Sequence, residues 1–72
     1  MNWDQIEGKW NEMFGRVRET WGRLTDDELG QIRGKRDRLS GLLQQKYGLA
    51  KEEAERQIAA FADKLDDALK PS

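Results

Sequence analysis

The chain has 72 residues, with 13 Lys and Arg against 14 Asp and Glu, a formal net charge of -1, and neither Cys nor His. It is shorter than the about 100–150 residues typical of one domain, and a chain of this size buries only roughly 60% of its unfolded surface. A single domain over residues 1–69 with a short tail at 70–72 is therefore expected; disulfides and Cys or His metal sites are excluded, and the near-neutral charge argues against a dedicated nucleic-acid binder.

The first predicted helix carries Trp3, Ile6, Trp10, Met13, Phe14, Val17 and Trp21 at three- and four-residue steps. That spacing draws one apolar stripe along an amphipathic helix. Gly22 is placed as its C′ residue, where a left-handed backbone is easiest for glycine. Thr25-Asp26-Asp27-Glu28 then forms a capping box, and its acids suit the positive end of the helix dipole.

The second stripe is Leu29, Ile32, Leu39, Leu42, Leu43 and Tyr47, ending at Gly48. Gly30 and Gly34 mark where this helix bends or breaks. The third is Ala54, Ile58, Phe61, Leu65, Ala68 and Leu69, with Pro71 at its finish. Ala50 stands where a capping Ser or Thr would serve. The fold class is all-α, a small bundle of three to four helices.

The helices repeat. Shifted by about 26 residues, Gln5-Ile6-Glu7-Gly8-Lys9 falls on Gln31-Ile32-Arg33-Gly34-Lys35 without a gap. Met13 then falls on Leu39, Gly15 on Gly41, Val17 on Leu43, Trp21-Gly22 on Tyr47-Gly48, and Asp26-Asp27 on Glu52-Glu53. A degenerate third copy begins at Gln57-Ile58. Such a repeat implies an internal duplication about an approximate two-fold axis.

Gly8, Gly15, Gly34 and Gly41 fall inside helical patterns, opposite the apolar stripe. Each weakens a helix by roughly 0.8–1 kcal/mol relative to Ala. They serve either close backbone approach, within the chain or across a dimer, or a deliberate weakness that leaves the chain ordered only under certain conditions. A mean hydropathy of -0.99 points toward the second.

The inventory excludes most catalysis. There is no imidazole acid or base and no thiolate, and the serines Ser40 and Ser72 sit in no nucleophile elbow. The carboxylates belong to solvated helix faces. No catalytic residue, cofactor site or metal site is assigned, and no small-molecule substrate is expected. No apolar run approaches the ~18 residues of a membrane span, and the start lacks a secretory pattern, so a cytoplasmic location is expected. The tryptophan stripe is assigned to core packing rather than to a membrane surface.

The basic cluster Arg33, Lys35, Arg36 and Arg38 is the candidate binding segment, with nucleic acid as its alternative partner. Successive helical positions point in different directions, which favours a solvated surface. Arg36 occupies the place of Trp10 in the other copy, where its stem is expected to cover the core and its head to pair with a carboxylate. The favoured interaction is self-association or an unidentified protein partner. The residues from Leu49 onward carry four basic and six acidic side chains, a local charge of -2 suited to such association.

Ile6-Glu7-Gly8-Lys9-Trp10, Gly15-Arg16-Val17-Arg18-Glu19 and Trp21-Gly22-Arg23-Leu24-Thr25-Asp26-Asp27 resemble the first half of a bacterial CsbD-like protein. Gly34-Lys35-Arg36-Asp37, Leu39, Gly41 and Gln45-Lys46-Tyr47-Gly48 resemble its second half. Ala50 departs from the Ser or Thr expected there. The resemblance implies a small, hydrophilic, helical, cytoplasmic protein of the general stress response, folded as two helical hairpins packed crosswise. It carries over no catalytic residue.

Overall fold

The computed structural model describes residues 2–69, with the side chains of Ala68 and Leu69 outside the description. The expected stop at Pro71 and the tail at 70–72 also lie outside the described residues. Among the described residues the chain forms α1 (Trp3–Gly8), α2 (Trp10–Thr20), α3 (Asp26–Ile32), α4 (Arg36–Tyr47) and α5 (Lys51–Leu69), and no strand. The all-α class stands, but the described residues form five helices rather than three to four.

The extra helices come from two breaks. The first expected helix is interrupted at Lys9, whose φ of -113° and ψ of 23° leave helical geometry. Its N–H is shared between the carbonyls of Gln5 and Ile6, a tightening common at helix ends. The second expected helix stops at Ile32 and restarts at Arg36. Arg33 (φ 57°) and Gly34 (φ 76°) are both left-handed there. Gly34 is therefore a connecting residue and not a mid-helix glycine. Lys9 and Lys35, 26 residues apart, each occupy an N-cap without a side-chain capping bond. The second break falls where Gly34 marks one in the sequence, whereas apolar periodicity runs through the first, which is why α1 and α2 read as one helix.

The caps separate local from remote causes. Thr25 accepts from the Glu28 N–H at 3.2 Å, and Glu28 accepts from the Thr25 N–H at 3.0 Å, closing the capping box. Asn2 and Gln5 form a second box at α1. Gly48 ends α4 with φ 66°. Gly22 does not act the same way, because its φ is not positive. After α2, Trp21 is extended (φ -128°, ψ 87°), and the Leu24 N–H returns to the Trp21 carbonyl in a turn.

Ile6, Trp10, Met13, Val17, Trp21, Leu29, Ile32, Leu39, Leu43, Ala54, Ile58, Phe61 and Leu65 are buried in one core, together with Leu24 from the α2–α3 turn. Trp3, Phe14, Leu42 and Tyr47 pack half-buried at its edge. The radius of gyration of 11.6 Å is near the about 11 Å expected for a compact chain of this length. Every helix contributes buried apolar side chains to this core, so only association of the helices removes that surface from water.

The indole N–H groups tie the elements together. Trp3 donates to the Gly34 carbonyl at 2.7 Å, Trp10 to the Leu29 carbonyl at 2.6 Å, and Trp21 to Gln57 Oε1 at 2.9 Å. Trp21 also meets Phe61 with ring centroids 5.2 Å apart. Among the described residues no buried side-chain nitrogen or oxygen lacks a partner.

Candidate functional site

The basic segment lies where α3 turns into α4. The left-handed pair Arg33–Gly34 reverses the chain, and the Lys35 N–H closes the turn on the Ile32 carbonyl at 3.1 Å. The corner is pressed onto α1. A methyl group on Gly34 would lie 2.9 Å from Glu7 Cα and 3.3 Å from Trp10 Cβ, so no side chain fits there.

This geometry divides the cluster. Lys35 forms an ion pair with Glu7. Arg36 is exposed and sets its guanidinium 5.9 Å from the centre of the Trp3 ring, a cation–π contact. The expected carboxylate partner of Arg36 is thus replaced by an aromatic face, because Trp3 sits on the neighbouring helix start. Arg33 and Arg38 meet along another groove. Both are exposed and line an open groove of about 700 Å³ with Asp26, Asp27, Gly30 and Gln31. Arg33 also borders a shallow cleft of about 510 Å³ beside Glu7, Lys9 and Glu12. The four cations therefore form two pairs interleaved with carboxylates, not one basic face.

Glu28 joins α3 to α4. It accepts from Thr25 and pairs with Lys46 at 3.1 Å. The Thr25 backbone N–H first, then Lys46, hold its carboxyl below the usual carboxylate range. On α5, Arg56 donates to Glu53 at 2.9 Å, and Gln57 donates to Glu53 at 3.2 Å while accepting from Trp21. Tyr47 accepts from the Arg23 N–H at 3.0 Å and lies under the Arg23 guanidinium.

The sequence marks Gln57 only as the start of the third copy, and Glu7 and Lys46 only as parts of the family motifs, with no contact assigned to any of them. Gln57 had a signal, since it repeats the Gln5 and Gln31 positions. Glu7 and Lys46 had none beyond their charge. Ser40 is buried and accepts from Gln44 at 3.2 Å. Among the described residues no group of three or more His, Cys, Asp or Glu side chains could hold a metal ion. No described helix is long and apolar enough to cross a membrane.

The model of the CsbD-like family matches residues 4–56, well over half of the chain. The chain belongs to the CsbD-like family. It is 62% identical over 61 residues to the UPF0337 protein RB10934 of Rhodopirellula baltica, covering 85% of this chain and 90% of that one. It is 52% identical over 71 residues to the UPF0337 protein NE2439 of Nitrosomonas europaea, covering 99% and 76%. It is 46% identical over 65 residues to the UPF0337 protein PA4738 of Pseudomonas aeruginosa, covering 90% and 100%. The names of these relatives assign no activity. The CsbD-like match spans both breaks, at Lys9 and at Arg33–Gly34.

Proposed function

We propose that this CsbD-like chain is a non-enzymatic, cytoplasmic stress-response protein. It acts through its exterior, by contact with other proteins or as an abundant hydrophilic protectant. The observation that carries this is where the reactive and recognition-capable groups go. The indole N–H groups are bonded within the bundle or at its edge, and Lys35 and Arg36 are drawn onto α1. What faces water is a mixture of both charges that nearly cancel, so no single-sign field selects one kind of partner.

The repeat supports a matching architecture: two 26-residue units arisen by duplication, packed crosswise as helical hairpins. The equivalent N-caps at Lys9 and Lys35 are consistent with it.

The experiment is protection of a labile enzyme during heating or drying, with an equal mass of albumin as reference. Greater retained activity with this protein is expected. Equality with albumin, or a tight saturable metabolite interaction in calorimetry, would overturn the proposal. Binding to nucleic acid through Arg33, Lys35, Arg36 and Arg38 draws less support, since the cluster is split. A mobility shift at low salt that vanishes when all four become Gln would favour it instead.

A further inference from the structure

Gly15, Gly30 and Gly41 are interior to α2, α3 and α4 respectively. All are exposed, and none has a positive φ. A methyl group at any of them would meet nothing within 4 Å. No turn, close approach or left-handed backbone requires glycine at these positions. Each nevertheless lowers the helical equilibrium about four- to fivefold relative to alanine, so the three together weigh about a hundredfold against the folded state.

The weakness falls on short helices. α2, α3 and α4 have 11, 7 and 12 residues, at or below the length at which an isolated helix is marginal in water. The 19-residue α5 contains no glycine. The core is thin, without a disulfide to support it. The charges nearly cancel, so compaction meets little net repulsion.

We infer that Gly15, Gly30 and Gly41 form a conformational device: they hold the bundle near its folding threshold, so that lowered water activity drives the chain to order. Excluded solutes favour burial of surface, and a chain near its midpoint responds most to them. The threshold exists with or without a macromolecular partner, so this proposal and the protective function fail in separate experiments.

The test compares the natural chain with the triple variant Gly15→Ala/Gly30→Ala/Gly41→Ala at 37 °C. Near-ultraviolet circular dichroism and tryptophan emission report Trp10 and Trp21, which are buried only when the bundle is formed. Both are followed against sucrose and trimethylamine N-oxide, with sedimentation at several protein concentrations. The natural chain should gain its folded signal sigmoidally with osmolyte, independent of protein concentration. The variant should show the full signal in dilute buffer, with a folding constant about a hundredfold higher. A natural chain already at its folded plateau in dilute buffer overturns the proposal. So does a variant within threefold of it, or a response that follows protein concentration.

Discussion

Gly8 closes α1, and Gly34 follows α3 at the same place in the register, since 34 − 8 = 26. At Gly8 the backbone is not left-handed and an added methyl would meet nothing. At Gly34 φ is +76° and the added methyl would strike Glu7 Cα. The same residue type in the same register does opposite things. One glycine loosens a helix end in open solvent, and the other is the only side chain small enough for the corner. Glycine spacing alone therefore does not separate a packing requirement from a weak point; the neighbouring backbone decides.

The largest expected effect tests the close approach. Gly34→Ala should lose roughly 2–4 kcal/mol, combining a left-handed penalty with displacement of α1. Equilibrium urea unfolding measures it, run in enough trimethylamine N-oxide to start from the folded state. If Gly34→Ala unfolds at the natural midpoint, the contact with Glu7 is not needed. Next, Trp10→Phe removes the donor to the Leu29 carbonyl inside the core and should lose about 1–3 kcal/mol. A loss limited to that of an exposed substitution would place Trp10 outside the core.

Gly8→Ala should move the other way, gaining at most about 1 kcal/mol. The gain is read from the same unfolding curves. The smallest effect belongs to Glu28→Gln. Its carboxyl titrates below the ordinary value in the folded chain, so its stabilising contribution is complete above the ordinary value and is lost as pH falls through the lowered one. Stability of the Gln variant should change less over that acid range than stability of the natural chain. Parallel pH profiles would remove Glu28 as the link between α3 and α4.

What was legible in the sequence was local. The Thr25–Glu28 box rests on residues three apart, and the apolar stripes follow from helical period alone. Gly48 ends α4 in the left-handed form its position implied. Gly22, at the equivalent place, does not, because Trp21 leaves the helix extended to reach Gln57 and Phe61 on α5. The break at Lys9 was hidden because Ile6 and Trp10 keep helical spacing across it. The division of the basic cluster depends on Glu7 and Trp3, far away in sequence, so charge spacing could not reveal it. Arg36 shows the limit well. Its equivalence to Trp10 suggested a stem over the core, whereas the nearest ring placed its head.

The most direct measurement sets Gly8→Ala and Gly34→Ala side by side in urea, in a fixed background of trimethylamine N-oxide that holds the natural chain folded as reference. The account predicts midpoints displaced in opposite directions, up for Gly8→Ala and further down for Gly34→Ala. Displacement in the same direction would contradict it, because the two glycines would then be doing the same work.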